Sequence, residues 1–304
     1  MALRPLDNTL PLVSPDGPKK RAKIAVATAA MTPRVSGIND ENLVVSAVTD
    51  AVEYVASEDL KALPDPEMKI KILMERLDSK DWLEVCEALN DARRFALHHA
   101  LILLPMLDKM MMVLVRSMKN PRSALCKTSI MASADIFTSY GHLLLSPSSS
   151  PTTTQQEAFD HLLLQLLLKA FQDKRFVCEE AEKALRTMAA SMPPLPLLQK
   201  LETYVAHKNP KVRAKAAVSI SDCTSKLGIE GMKEFGLRKL LQISADMLND
   251  RLPEAREAAR RIAGSMYMAY TGGEEEVSPA ESWQSLCTSS LAPISAQLMI
   301  RIIS

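Results

Sequence analysis

Glycine and aromatic residues are scarce in this sequence: 9 glycines and 4% Phe, Trp and Tyr in 304 residues. There is no glycine-rich phosphate cradle, no P-loop, no GxSxG and no HExxH, so the common nucleotide, acyl-hydrolase and zinc-protease chemistries have no place to sit. An enzyme is not expected, and neither is a cofactor or a small-molecule substrate. Runs of alternating β-branched residues long enough for a sheet are missing as well. The longest apolar runs, 162–168 and 101–115, are broken by Gln165 and by Asp108 and Lys109. Neither reaches the roughly 20 apolar residues that a bilayer span needs, so no membrane association is expected. Cysteine is limited to five residues, with no CxxC and no metal-ligand spacing. No secretory apolar segment stands at the start, so reduced thiols in a cytoplasmic setting are expected. His98-His99 falls at a helix end, where a cation complements the helix dipole, and is not read as a metal site. Charge of one sign is also lacking: 37 basic and 36 acidic residues give a net +1. That balance argues against a nucleic-acid binder held by overall charge, although it leaves room for a local basic edge.

Leu, Ala, Met, Lys and Glu fill the composition, and these residue types lose little freedom in a helix. The expectation is an all-α chain. Residues 1–40, with five prolines and the cluster Lys19-Lys20-Arg21-Ala22-Lys23, read as a disordered basic tail. Residues 41–66 read as an N-terminal helix (42–55) and a linker ending in Pro64-Asp65-Pro66. From 67 to 271 the pattern is one of amphipathic helix pairs, and 272–304 reads as a C-terminal tail with one helix around 297–303. Residues 146–154 are all Ser, Pro and Thr and read as a flexible loop insertion, with Ser146 and Ser150 as proline-directed phosphorylation candidates.

Within 67–271 the expected helices cover 68–77, 81–98, 101–118, 123–140, 155–171, 176–191, 197–207, 212–227, 232–248 and 254–269. Gly141 and Gly228 are read as stops. Five polar corners precede the second helix of each pair. Aligning those helices places Val85, Lys127, Cys178, Arg213 and Arg256 in equivalent positions, at intervals of 42, 51, 35 and 43 residues. A period near 40 with two helices per unit is the mark of a HEAT/ARM-type α-solenoid, here of about five to six helix pairs. The clearest copy is Asn209-Pro210-Lys211-Val212-Arg213: Asn caps, Pro presets the first turn, and Arg can bridge to acidic groups of the neighbouring unit. Cys86, Cys126 and Cys178 fall near equivalent positions and read as small buried residues, and Met110-Met111-Met112 as core or groove filler.

Stacked pairs bring the five corners to one edge. That edge would carry Lys80 and Trp82, then Asn120 and Arg122, then Lys174 and Arg175, then Lys208 and Lys211, then Arg251, with Asp81, Asp173 and Asp250 diluting the charge. A net-basic strip of this kind suits an acidic protein surface. Trp82, just past a corner whose Ser79 and Asp81 are good N-caps, has no obvious core position.

The corner Ser79-Lys80-Asp81-Trp82, followed by Glu87-Ala88-Leu89 and Arg93-Arg94, resembles the start of a TOG domain, the HEAT array of the CLASP and crescerin-like families. The unit 123–137 ending Asp135-Ile136-Phe137, and Phe176-Val177 through Lys183-Ala184-Leu185, resemble later units. The resemblance covers about 68–270. It implies a microtubule-associated protein of the cytoplasmic cytoskeleton that binds curved αβ-tubulin along the corner edge. Trp82 would be the apolar anchor on β-tubulin and Lys80 its charged neighbour. Asn120, Arg122 and Ser123 would form the second contact, Lys174 and Arg175 the third, Lys208 and Lys211 the fourth, and Arg251 the fifth. Val85 and Cys178 depart from the family pattern, which often has Arg there. With room for one such domain, the chain is expected to bind tubulin without driving polymerisation, unless it oligomerises or its basic N-terminal tail contacts the acidic microtubule surface. The alternative is a HEAT/ARM scaffold for a non-tubulin protein, with Trp82 tucked under residues 43–60.

Overall fold

Six helices begin on a proline, namely Pro66, Pro194, Pro210, Pro253, Pro279 and Pro293. A proline ring presets helical φ, and the N–H it lacks is one that a first helical residue could not bond anyway. These starts fix where each chain reversal ends. The computed structural model describes residues 54–145, 153–272 and 278–303. Among them are twelve helices of nine residues or more: α1 (Pro66–Leu77), α2 (Trp82–His98), α3 (Leu107–Met118), α4 (Ser123–Leu144), α5 (Thr153–Lys169), α6 (Arg175–Ser191), α7 (Pro194–Glu202), α8 (Pro210–Phe235), α9 (Leu237–Leu248), α10 (Pro253–Thr271), α11 (Pro279–Ser290) and α12 (Pro293–Arg301). They form six consecutive pairs, as a solenoid requires. No strand occurs among the described residues.

Each pair buries an apolar stripe that it could not cover alone, such as Leu73 and Leu77 of α1 against Leu89 and Phe95 of α2, and one core runs through all six pairs. The second helices pack most extensively on one another: α2 on α4, α4 on α6, and α8 on α10. Between the third and fourth pairs this stacking thins. α6 meets α8 over a much shorter length, and α5 also touches α8. Three lysines bridge this seam, one of them Lys200 of α7, which donates to Asp160 of α5 at 2.8 Å. Lys226 donates to the Ala189 carbonyl at 2.7 Å and Lys215 to Glu182 at 2.6 Å. Lys215 also bonds Glu254, so one buried ammonium ties α6, α8 and α10 together.

Burial alone would pull the Lys215 pKa down, but the two glutamates outweigh it and hold the group above the usual 10.5. A pKa raised in the folded state gives stability that is present below the unfolded value and lost as pH rises through the folded one. Lys215→Met should therefore cost about 2 kcal/mol at neutral pH. In urea unfolding its gap to the unsubstituted chain should narrow only at strongly alkaline pH; a gap unchanged there would remove the ammonium from the explanation.

Several sequence expectations shift. The span 101–118 is not one helix: Pro105 sits in a 3-10 turn, Leu104–Met106, after a single helical turn, Ala100–Leu103, and α3 begins only at Leu107. Gly141 does not stop α4. It is buried in the helix, and a Cβ there would lie 2.8 Å from the Ser191 carbonyl oxygen, so it permits close approach of α4 and the end of α6. Pro194 and Pro196 open α7 instead of breaking the chain, and α7 ends at Glu202, five residues short of the expected 207. Gly228, at φ 62° and ψ 176°, breaks the helical backbone as read, and a second helical stretch of α8 follows it to Phe235; the next reversal comes at Gly236, φ 108°, and α9 starts at Leu237 instead of Met232. Gly236→Ala should destabilise by about 1–3 kcal/mol through backbone strain alone, since the nearest atom to a new Cβ would be a comfortable 3.6 Å away. A thermal midpoint equal to that of the unsubstituted chain would refute this.

After 272, read as a tail with one helix, stand two helices. Trp283 of α11 is 2% exposed, its ring edge-on to Tyr267 of α10 with centroids 5.7 Å apart, and α11 and α12 both pack on α9. The expected helix 42–55 and most of the Ser/Pro/Thr loop lie outside the described residues; of the former only Tyr54 and Val55 are described, and they are not helical.

A strap from Tyr54 to Leu60 crosses the second-helix layer. Arg93 is 1% exposed and spends its guanidinium on Asp135 (2.6 Å), the Val55 carbonyl (2.8 Å), Asn90 (3.0 Å) and Ser57 (3.3 Å). Ser57 in turn donates to Asp135 at 2.6 Å, and His98 Nε2 stands 2.6 Å from the Leu60 carbonyl oxygen.

Candidate functional site: the corner edge

Four of the five corners, those preceding α2, α4, α8 and α10, are built by one recurring device. A short polar side chain turns back and accepts the N–H two residues on: Asp81 from Leu83 (3.0 Å), Asn120 from Arg122 (2.9 Å), Asn209 from Lys211 (3.0 Å) and Asp250 from Leu252 (3.0 Å). A second lock lies one turn into the helix. Arg213 donates to the His207 carbonyl (2.9 Å) and Arg256 to the Asp250 carbonyl (2.8 Å), each six residues back. In the third corner Cys178 does the same job, its S–H donating to the Gln172 carbonyl at 2.8 Å while Gln172 N–H donates back to Sγ at 2.9 Å. The equivalence of Cys178, Arg213 and Arg256 expected from spacing is thus visible in their bonds. It also corrects the reading of Cys178 as buried: it is half-exposed and locks a corner, whereas Cys86 and Cys126 are buried.

Trp82 opens this edge. It is half-buried, one side packed on the core, and the Arg122 guanidinium lies over its ring at 5.5 Å from the centroid. No described residue of the 54–60 strap is bonded to it. Lys80, Arg122, Lys174, Arg175, Lys208, Lys211 and Arg251 are all exposed, and Asn120 and Ser123 are half-exposed. Arg175 is partly spent on Glu179 at 2.7 Å. Asp250, expected to dilute the edge from solvent, instead is 9% exposed and bonded by Arg213 at 2.8 Å, so its charge is neutralised inside the corner. The first corner is the least basic: Asp78, paired with Arg116, and Asp81 flank Lys80.

The second, third and fourth corners enclose a cleft of about 620 Å³. It gathers four of the expected site residues: Asn120, Ser123, Lys174 and Lys211. Lys80, Trp82, Arg122, Arg175, Lys208 and Arg251 lie outside its lining. Residues that sequence reading passed over complete it, chiefly Lys119, Lys169, Phe171 and Asn209. Lys119 and Lys169 each stand at the C-terminal end of a first helix, a position cations favour, and that signal could have found them. Lys211 lies over the Phe171 ring at 4.9 Å.

Burial pushes the Cys86 and Cys287 thiols up to about 11 and Cys223 up to about 12, the reverse of nucleophilic activation. Among the described residues no three His, Cys, Asp or Glu side chains are grouped to hold a metal, and no helix is long and apolar enough to cross a membrane.

No family model matches the chain. It is similar to TOG array regulator of axonemal microtubules protein 1 of Mus musculus, with 26% identity over 223 residues, 72% of this chain and 12% of that protein. Its similarity to the Homo sapiens protein of the same name is 28% over 148 residues, 49% of this chain and 8% of the relative. The chain therefore spans only a small part of the length of the curated relatives it matches. Among solved structures, the TOG domain of C. elegans Zyg9 superposes with a TM-score of 0.56 at 16% identity, covering 87% of this chain and 96% of that one. The fold is that of a TOG domain.

Proposed function

We propose that this chain is a TOG-type, non-enzymatic microtubule-associated module that binds αβ-tubulin along its corner edge and acts at microtubules in the cytoplasm. Residues 67–271, together with the helix pair α11 and α12, form the module. The observation that carries the reading is Trp82, held half-buried at the head of five stacked corners with Arg122 over its ring. A large, partly exposed aromatic at a rim of polar and basic groups is the form an interface anchor takes. Similarity to proteins named as regulators of axonemal microtubules supports the choice of partner. The exposed cations that follow along the edge suit an acidic protein surface.

In this reading Trp82 and Lys80 engage β-tubulin. Asn120, Arg122 and Ser123, then Lys174 and Arg175, then Lys208 and Lys211, and last Arg251 continue the contact toward α-tubulin. The test is co-elution with αβ-tubulin on a sizing column across a salt series. A complex at low salt that weakens as salt rises is expected, because the contacts beyond Trp82 are ionic and screened. Absence of a complex at low salt and micromolar concentrations would overturn the proposal and leave a solenoid scaffold for another protein.

A further inference from the structure

We propose that the cleft between the second, third and fourth corners seats an extended acidic polypeptide segment, whose carboxylates are taken by Lys119, Lys169, Lys174 and Lys211. This deepens the docking reading above by naming what enters the cleft, and rests on that reading only for who supplies the segment. The argument is one of donors and acceptors. Four ammonium groups line the cleft against one carboxylate, Asp173. Among the described residues none of the four makes an ion pair or a side-chain hydrogen bond; Lys211 has only the Phe171 ring beneath it. Apart from the Asp173 carboxylate, several acceptors of the rim are already consumed. The Asn120 and Asn209 side-chain oxygens accept the N–H groups of Arg122 and Lys211, which turns their NH₂ donors outward. The Gln172 carbonyl is taken by Cys178. What remains available is a set of donors, and a ligand that satisfies it must bring acceptors.

Shape and floor choose among anions. Leu168, Val177 and Phe171 give the cleft an apolar base that suits the methylene stems of Glu side chains. Phe171 is half-buried and already has the Lys211 and Lys215 ammonium groups 4.9 and 5.3 Å from its ring centroid, where a base would have to displace them to stack. The net charge of +1 supplies no long-range pull toward a polyanionic duplex. A chain that brings one carboxylate every few residues meets the lysines in turn.

The experiment is fluorescence anisotropy of the full chain with a labelled Glu-rich peptide of about twelve residues, long enough to span the cleft. A single-stranded oligonucleotide of equal charge and the double variant Lys119→Glu/Lys169→Glu accompany it. Saturable peptide binding, weakened at least about tenfold in the double variant, is expected. Circular dichroism of the double variant checks that it is folded; if it is not, Lys174→Glu takes its place. Peptide affinity indifferent to the lysine substitutions overturns the inference, as does an oligonucleotide that binds as tightly with the same sensitivity. If the peptide fails to bind while tubulin still co-elutes, the inference falls and the docking reading stands. If the peptide binds and tubulin does not co-elute, the docking reading falls alone.

Discussion

Replacing Trp82 with alanine should cost about 2 kcal/mol or more of tubulin affinity, roughly 30-fold, enough to abolish co-elution at micromolar concentrations. The size of the effect follows from position. The inner side of the indole is packed on the core and its ring lies under Arg122, so it meets a partner pre-ordered and without a large entropic loss. Truncation removes the apolar contact and also frees Arg122, which then pays more to be ordered on binding. Trp82→Phe, which keeps a flat ring beneath the guanidinium, should retain most of the affinity. The thermal midpoint of each variant separates a local from a global effect, since a half-buried corner residue carries less of the core than Phe95 or Leu89. Undiminished co-elution of a folded Trp82→Ala protein would take the residue out of the interface.

Arg93→Met should be the most destabilising of the substitutions considered, costing about 3–5 kcal/mol in urea unfolding. The side chains of Arg93 and Asp135 are 0% and 4% exposed, so removing the guanidinium strands a carboxylate in the core between α2 and α4. It also removes the bonds that hold the Tyr54–Leu60 strap through Val55 and Ser57. The companion Arg93→Met/Asp135→Leu should recover more than half of the loss, because an apolar pair satisfies the site where a lone charge cannot. A double variant as unstable as the single one would mean that the strap contacts, rather than the stranded charge, set the cost.

The sequence carried the architecture because stacking imposes a period on it. Each pair must repeat the same apolar stripe and the same corner cap, so Asn120, Asn209 and Asp250 announce themselves by type and position, and the helix pairs follow. The corner edge followed from the period too. Features created by contacts between distant segments were not legible. Nothing local in Asp250 says that Arg213, 37 residues earlier, will neutralise it, and nothing in Arg93 says that it will be buried by a strap 36 residues upstream. Trp283 sits in a Ser-rich segment of weak periodicity, and its burial depends on Tyr267 across a chain reversal. Lys119 and Lys169 were overlooked because a lysine closing a helix looks like ordinary dipole compensation until three corners converge around it.

The thin seam between α6 and α8 has a consequence for how the protein comes apart. In a linear array, cooperativity is transmitted only through neighbour interfaces, and the weakest interface sets where it fails. Here repeats one to three share the broad α2–α4–α6 stack and repeats four and five the α8–α10 stack, joined across the seam by three lysine bridges, the Tyr204 hydroxyl on the Asp160 carbonyl and a short stretch of core. The junction of α11 and α12 with α9 and α10 is similarly slight. Amide protons flanking the seam between α6 and α8 should exchange with solvent ahead of those inside the α2–α4–α6 and α8–α10 stacks.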